Sequence, residues 1–473
     1  MAVTFMSLAA PAWGKDEIDP AIKSISTGRL EDRSSQQAPL PQGARKQART
    51  YQAGEPAEGG EQVGLMQAVR LAVDWHPSIG QAIGTLYQQG EQVNVAEAGY
   101  YPQISGGVKS GYDNAYGGYR SSQAFSLSLK QMLYDFGKVS SSVDVARARV
   151  ARSQASILLN IDQVARDTSY AYLEVQRYKQ LMDIAQAQIK GVGAIVDLAR
   201  QRSDMGASTR SDVVQAESRV EGARAQLLLY KAQYQRWQAT LTNLAGRSTP
   251  FAVNDDFPQA LTQSCEGAQP DMNALPAILV AEAERVEAQA QVAQARAEGR
   301  PTLSVGPTLT HYLDDNYNQY SPELERTQVG VFLNFEVPIY QGGAINARTA
   351  AAGHALTAAD SAEDAARLQA REGLFEAQAQ TASLNQRLGS LEYRQKSITE
   401  ARALYGSQYL ELGTRPLLDL LNAEQEIHQS RFDLANTIAD LRRLQIDCLY
   451  STGSLRSAYQ IDHSTIQGVE ILP

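Results

Sequence analysis

One stretch constrains the fold more than any other: an alternating strand that runs directly into a very long tract without proline. Before the tract, apolar side chains occupy every second position, which is the period of a strand with two different faces. These side chains are Val329, Val331, Leu333, Phe335 and Val337. Residues 344–412 contain no proline and are rich in Ala, Gln, Glu and Arg. A helix of roughly 65 to 70 such residues would extend about 100 Å, which predicts an elongated assembly and excludes an ordinary globular core.

The same construction occurs earlier in the chain. Phe125, Leu127 and Leu129 alternate with polar residues, and a helical tract without proline follows as far as Gly206. Matching landmarks lie 199 residues apart for Pro77 and Pro276, 199 for Pro102 and Pro301, 206 for Tyr134 and Tyr340, and 207 for Gly206 and Gly413. Internal repeats are strong evidence of fold. They predict two structural repeats per chain, each a β-hairpin plus long antiparallel coiled-coil helices.

The predicted boundaries follow from these repeats. In the second helical tract of repeat 1, apolar residues such as Val213, Val220 and Leu227 recur every seventh position, which is typical of helices packed lengthwise against neighbours. We predict repeat 1 at 62–245, a linker at 246–272 and repeat 2 at 273–450. The predicted strands are 103–112, 122–134, 302–312 and 326–338, and the predicted long helices are 138–205, 209–245, 344–412 and 416–447.

The two ends of the chain are predicted to lie outside the repeats. Residues 1–14 form an apolar run with small residues at Ala10 and Ala12, which resembles the second half of a secretory signal sequence. The alternative is a frayed apolar terminus. Residues 15–61 lack periodicity and are predicted to be a disordered extension. Residues 451–473 show no period and are assigned as a C-terminal tail.

Composition argues against several classes of function. The net charge is -9 and the basic residues are scattered, whereas nucleic-acid binding depends on clustered Lys and Arg. The five histidines are far apart, and the chain lacks the His-Glu-x-x-His, Gly-x-Ser-x-Gly and Gly-x-x-x-x-Gly-Lys motifs. No apolar stretch reaches the length of a transmembrane helix. We therefore predict no enzyme activity, no metal, no cofactor and no nucleic-acid partner.

The predicted strands require more than one chain. Four strands cannot close into a barrel, since eight is about the smallest number that does so, and an open sheet edge in lipid would leave backbone groups unpaired. Three chains would supply twelve strands, an even number with a water-filled lumen. Small polar residues alternating with apolar ones suit a wall between lipid and water. The alternative is a soluble pair of hairpins packed on helices.

Four motifs, taken together, resemble the TolC-like family of outer-membrane channels in Gram-negative bacteria. The motifs are Ala98-Gly99-Tyr100-Tyr101-Pro102, Leu133-Tyr134-Asp135-Phe136-Gly137, Pro338-Ile339-Tyr340-Gln341-Gly342-Gly343 and Gly413-Thr414-Arg415. The resemblance covers about Gln62 to Ser454. It implies a mainly α fold with a membrane β-barrel: a homotrimer with a 12-stranded barrel in the outer membrane, a 12-helix tunnel in the periplasm and an equatorial belt that includes the linker. The implied partners are outer-membrane lipid, a periplasmic adaptor (membrane fusion) protein and an inner-membrane transporter.

The turns at the lower end of the tunnel carry the candidate functional residues. Gly206 and Gly413 end the two descending helices, and each is a predicted C-cap at the tunnel tip. Asp419 and Asn422 stand three residues apart and therefore share a helix face. The resemblance implies two rings of acidic residues at these two positions, and this chain has an amide at the second.

The resemblance also implies a periplasmic gate. It places Arg415 and Asp212, with Ser211 beside the latter, where neighbouring helix pairs are tied shut. In a trimer we predict that Asp212 and Arg415 meet across the boundary between helix pairs. The alternative for all of these residues is a solvated helix start, which favours acidic side chains in any case.

Cys265 and Cys448 fit no metal-ligand spacing. Both fall where helices return to the middle of the implied tunnel, and an exported protein meets an oxidising periplasm, so we predict a disulfide between them. The alternative is two separate buried thiols.

Three functions remain open. We favour a passive duct for type I secretion, in which an inner-membrane ABC transporter drives out an unfolded polypeptide; the long N-terminal extension resembles members that export large adhesins of biofilm-forming bacteria. The first alternative is a multidrug efflux subunit, a branch that commonly carries a lipid-bearing cysteine just after the signal sequence, whereas Cys265 is the first cysteine here. The second alternative is a trimeric coiled-coil stalk or adhesive protein that transports nothing.

Overall fold

The computed structural model describes residues 62–113, 120–315 and 325–471, together with the two-residue strand Ser24–Ile25. The predicted signal sequence and nearly all of the predicted extension therefore lie outside the described residues. The described part is mainly helical. None of its helices has an apolar stretch sufficient to cross a membrane.

Four long helices dominate the molecule. The helices are α1 (Leu65–Trp75), α2 (Pro77–Glu97), α3 (Lys138–Asp204), α4 (Arg210–Leu244), α5 (Pro276–Ala297), α6 (Ala344–Ser407), α7 (Leu417–Thr452) and α8 (Leu455–Ala458). Helices α3 and α6 have 67 and 64 residues. Helix α3 packs along α4 and α6 packs along α7, so the chain contains two long helical hairpins. The hairpins meet where α3 packs on α7, and we call this contact the seam.

The strands form one sizeable sheet and several short pairs. They are β1 (Ser24–Ile25), β2 (Gln62–Val63), β3 (Gln103–Asp113), β4 (Arg120–Tyr134), β5 (Ala252–Val253), β6 (Thr302–Tyr312), β7 (Thr327–Glu336), β8 (Thr465–Ile466) and β9 (Val469–Ile471). The large sheet is antiparallel with the order β3-β4-β6-β7. In the described part of the chain, β3 and β7 therefore each have one edge without a partner strand.

The two faces of this sheet differ in chemistry. Directly paired residues share a face, and the pairs Ser105 with Ser128 and Ser128 with Thr308 belong to one that also carries Gly107, Ser126, Thr310, Gln328 and Asn334. We call this the polar face. The opposite, apolar face carries Ile104, Val108, Phe125, Leu127, Leu129, Leu309, Val329, Val331, Leu333 and Phe335. Its side chains are unusually exposed for large apolar groups, with 68% of Ile104 and 69% of Val331 accessible in the single chain.

The main core surrounds the middle of α3. The phenol of Tyr172 lies fully buried there and donates its single hydrogen to Asn254 Oδ1 (2.6 Å), while its oxygen also lies 3.0 Å from the carbonyl oxygen of Val63, which places α3 against β2 and the linker. Buried polar groups need such partners because burying one without a hydrogen bond lowers the stability of the fold. Short elements of both repeats thus gather around one long helix.

The C-terminal segment is part of this core. Its sequence shows no period, but the structure forms α8 and the β8–β9 pair, and Tyr459, Ile466 and Val469 are buried. Arg456 donates to Asp162 Oδ2 at 2.6 Å, and both side chains are almost fully buried. The elements have only two to four residues each, too few to display a period in sequence.

A disulfide fastens the linker to α7. The sulfurs of Cys265 and Cys448 are 2.07 Å apart, as in a disulfide bond, and their Cα atoms are 5.3 Å apart. On α6, Gln378 Nε2 donates to the Cys265 carbonyl (3.2 Å), and Ser264 Oγ donates to the Gln445 carbonyl on α7 (2.7 Å). The linker is thus clamped across the middle of the α6–α7 hairpin.

Candidate functional site

The candidate site is the tip, which we define as the two turns 205–209 and 408–416 that close the helical hairpins. At the first turn Gly206 has φ +73°. Its N–H donates to the Ser203 carbonyl, and the Ala207 N–H donates to the Arg202 carbonyl. This pair of bonds is a Schellman motif, and its left-handed position favours glycine because other residues meet a Cβ clash there.

The second turn is wider. Helix α6 ends in a π-helical turn, Gln408–Leu412, and Gly413 follows with φ +61°. The N–H groups of Gly413 and Thr414 both donate to the carbonyl of Gln408. Such π turns are rare and occur often at functional sites. Here the turn carries the Gln408 side chain into reach of Arg415.

Arg415 is held within its own chain. Its guanidinium lies 4.4 Å from the ring centroid of Tyr405, Nε donates to Gln408 Oε1 (2.9 Å) and Nη1 donates to Asp419 Oδ2 (2.9 Å). The Arg415 side chain is 38% exposed and that of Asp419 34%. Arg415 therefore braces the turn between α6 and α7 while remaining open to a neighbouring molecule.

Asp212 serves as part of a helix cap. Thr209 accepts from the Asp212 N–H while the Asp212 carboxylate accepts from the Thr209 N–H, which makes a capping box at the start of α4. Partial burial would raise the pKa of Asp212, but hydrogen bonds from Ser208 Oγ and from Thr209 lower it below its usual range. Ser211 Oγ pairs with Thr209 Oγ1 at 2.7 Å. Asp212 thus stays charged and well positioned.

The predicted partnership between Asp212 and Arg415 concerns two neighbouring chains of a trimer and stays a prediction. Within one chain Arg415 contacts Tyr405, Gln408 and Asp419. Asn422 is exposed on α7, one turn beyond Asp419. The carboxylate of Asp419 lies in the first turn of α7, where the helix dipole favours a negative charge.

One contact at the tip escaped the sequence analysis. Arg202, in the last turn of α3, places its guanidinium 4.6 Å from the ring centroid of Tyr409 and donates from Nη1 to the Tyr409 carbonyl at 2.8 Å. This contact links α3 to the π turn of the other hairpin. The sequence feature that could have predicted this contact is the pair Tyr405 and Tyr409, which lie one helical turn apart and close to Gly413.

An apolar cluster lies behind the turns. It joins both hairpins and consists of Val192, Ile195, Val196 and Ala199 on α3, Ala216 and Val220 on α4, Tyr409 in the π turn, and Leu417, Leu420 and Leu421 on α7. We call it the tip cluster. Other apolar side chains at the tip face outward, including Met205 (73% exposed) and Leu412 (67%). In the described residues no cluster of side chains could hold a metal ion.

Comparisons with known proteins agree on one family. The model of the family described as "Outer membrane efflux protein" matches residues 68–247 and 273–446. The chain is 26% identical over 376 residues to outer membrane efflux protein BepC of Brucella suis, covering 78% of this chain and 80% of that protein. It is 24% identical over 419 residues to outer membrane protein TolC of Salmonella enteritidis, covering 83% and 82%. Its fold is similar to the crystal structure of VceC from Vibrio cholerae, with a TM-score of 0.71, 17% identity and coverage of 82% and 96%.

Proposed function

Because the chain belongs to the outer membrane efflux protein family, we propose that it is a passive trimeric channel-tunnel that exports a polypeptide while docked to an inner-membrane ABC transporter and a periplasmic adaptor. The protein is an outer-membrane protein of a Gram-negative bacterium, and its helical part lies in the periplasm. The family is one of channels, so the energy for export comes from the inner-membrane partner.

The observation that carries the proposal is the four-stranded sheet with two unlike faces and, within the part of the chain that the structure describes, two edges without a partner strand. In lipid every backbone polar group needs a partner, so the free edges of β3 and β7 must pair with other chains. Three chains then close twelve strands, with the apolar face toward lipid and the polar face toward a lumen wide enough for water. This supports a trimer with a conducting barrel over a stalk that transports nothing.

The lumen chemistry suits a cargo of mixed side chains. Ser105, Gly107, Ser126, Ser128 and Thr308 give the polar face small hydroxyl and glycine positions. The same face also carries Lys109, Lys130, Phe332 and Glu336, so polar, charged and aromatic groups are mixed along the wall, which suits the mixed side chains of an unfolded polypeptide. Drug efflux is the second candidate, favoured by the relative described as an efflux protein.

The tip supports docking of a periplasmic partner. Met205, Leu412 and Leu418 are exposed there, and large apolar side chains grouped on a surface mark interaction sites. The first turns of α4 add an open, shallow surface formed by Arg210, Ser211, Val214, Gln215, Ser218 and Arg219.

Neighbouring cysteine variants test the channel. Ser128→Cys lies on the polar face and Leu127→Cys on the apolar face, and the native cysteines are already bonded to each other. In planar bilayers a bulky, charged thiol reagent should reduce the conductance of Ser128→Cys and leave Leu127→Cys unchanged. Trimers that conduct no current, or an equal loss of conductance in both variants, would refute the proposed channel.

The choice between secretion and drug efflux needs a cellular test. Deleting the gene should remove one or a few secreted polypeptides from the culture medium and leave antibiotic susceptibility nearly unchanged. Reintroducing the intact gene should restore secretion of the same polypeptides. An unchanged set of secreted proteins together with greater drug susceptibility would favour the efflux alternative.

A further inference from the structure

A buried polar layer crosses the seam above the tip. Below it lies the tip cluster, and above it lies a second apolar cluster of Leu181, Ala185, Phe432 and Ala435. Between the two clusters, α7 carries Glu424 and His428, whose side chains are only 7% and 3% exposed. Helix α6 adds Arg402 and helix α3 adds Gly191. These four residues are the polar layer.

Arg402 and His428 hold the carboxylate of Glu424. Arg402 Nε donates to Oε2 at 2.7 Å, and His428 Nε2 lies 3.3 Å from Oε1. Both partners belong to the same helical hairpin as Glu424. They therefore fix the carboxylate on α7 and direct it toward α3 without themselves joining the two hairpins.

Gly191 supplies the place across the seam that receives this carboxylate. A Cβ built on Gly191 would overlap Glu424 Oε1 and would come within 3.5 Å of His428 Nε2. The notch exists because Gly191 has no side chain. Glycine within a helix is unfavourable relative to alanine, and at Gly191, near the lower end of α3, the missing side chain leaves room for the carboxylate.

Widening the mouth requires the two hairpins to move relative to each other. Each hairpin is closed by its own turn at the tip and packs along its length, so a movement between the hairpins is a shift of α3 against α7 along the seam. Arg402 and His428 belong to the same hairpin as Glu424 and keep its carboxylate in place during such a shift, so the shift would press a residue of α3 that carries a side chain against the carboxylate. Glu424 must leave the Gly191 notch for this shift to occur.

We propose that the polar layer is a latch that holds the mouth closed, with Glu424 as its bolt and Gly191 as its notch. The proposal rests on the proposed channel function. It assigns positioning roles to these four residues, of which Glu424 lies five helical residues, or about 7.5 Å, above the mouth residue Asp419. It differs from the tip contacts of Arg415 because Glu424 and His428 are buried and Glu424 reaches across the seam within one chain.

The test compares two glycines two residues apart on α3. Gly191→Ala places a methyl group in the notch and should raise the resting conductance of purified trimers in planar bilayers about tenfold, the effect of destabilising a closed state. Gly193 has open space around it, so Gly193→Ala is the matched control and should conduct like the parent. Glu424→Gln keeps the shape but removes the charge and should also raise resting conductance.

A double variant checks the mechanism. Glu424→Ala removes the bolt, so adding Gly191→Ala to it should change conductance little further, whereas independent sites would give additive effects. If Gly191→Ala fails to form trimers, the resting conductance of Glu424→Gln is compared with that of the parent and of Gly193→Ala. Conducting trimers in which Gly191→Ala and Glu424→Gln both match Gly193→Ala would overturn the latch alone. Absence of conductance from the parent and all variants would overturn the channel and the latch with it.

Discussion

Replacing Arg415 by alanine should loosen the turn between α6 and α7 and raise the resting conductance of the channel. The guanidinium contacts Tyr405, Gln408 and Asp419. An exposed cation–π contact contributes about 0.5 to 1 kcal/mol, an exposed ion pair about 0 to 1 and a hydrogen bond about 0.5 to 1.5. Because the side chain is 38% exposed, the lower half of each range applies. The sum is about 1 to 2 kcal/mol per chain.

Three such turns act on one mouth in a trimer. Only the part of each contact that is lost on opening shifts the balance between closed and open states. If half is lost, the shift is about 1.5 to 3 kcal/mol per trimer, and the ratio of open to closed mouths rises about 10- to 150-fold. The change is measurable as current through single trimers in planar bilayers, and as uptake of a large antibiotic that the closed channel excludes.

Three further variants separate the roles of the charged groups. Arg415→Lys keeps the charge but loses the planar stack on Tyr405, so it should leak less than Arg415→Ala and more than the parent. Asp419→Asn breaks the pair within the chain, and Asp212→Asn tests the predicted pair between neighbouring chains. Leakage from Arg415→Ala and Asp419→Asn alone would indicate a brace within the turn. Parent-like current from Arg415→Ala would refute the reasoning.

Three other predictions follow from the described contacts. Unfolded, unreduced protein should show no free thiol from Cys265 or Cys448, and reduction should lower stability by about 2 to 4 kcal/mol; two labelled thiols per chain would contradict the bond. Burial raises the pKa of Asp162 to about 6. The protonated carboxyl group therefore stabilises the fold below about pH 4, and this stabilisation is lost as the pH rises through about 6. Between about pH 4 and 6 the melting temperature of the parent should fall relative to that of Asp162→Asn. Gly206→Ala should destabilise the tip by about 1 to 2 kcal/mol because φ is positive there, while Gly222→Ala, within α4 with open space around it, should leave stability equal or higher; equal melting temperatures for the two variants would argue against strain at the turn.

The architecture was predictable because it depends on periodicity over long distances. The repeat that relates Tyr134 to Tyr340, and the proline-free tracts that follow each, led to the mainly helical class with two hairpins, and the similarity to solved channels confirms that class. The C-terminal segment was not predictable, since elements of two to four residues have no period. Burial of Tyr459 depends on a surface that only the folded α3 provides.

The polar layer could not be predicted from the sequence for a different reason. Glu424 falls on the buried stripe of α7, near Leu420 and Ile427, but an acidic residue in a helix is ordinarily solvated. Its burial depends on Gly191, more than two hundred residues earlier in the chain. Glu424 and Gly191 are brought together only by the packing of α7 on α3, and the local pattern of a single sequence does not predict such a contact.

The two sets of contacts that restrain the mouth differ in what can reach them. Arg415 and Asp419 are partly exposed, so a docking partner can compete for them directly and salt screens them. The Glu424 carboxylate is buried, whereas its partner Arg402 is 39% exposed, so a docking partner can reach that guanidinium but not the carboxylate while the seam is closed. From the proposed latch we expect an order of opening: the exposed contacts exchange first, the turns move, and the carboxylate leaves the Gly191 notch last. A partner that only neutralised Arg415 would loosen the tip yet leave the latch closed, because binding shifts an equilibrium only through contacts that differ between its two states.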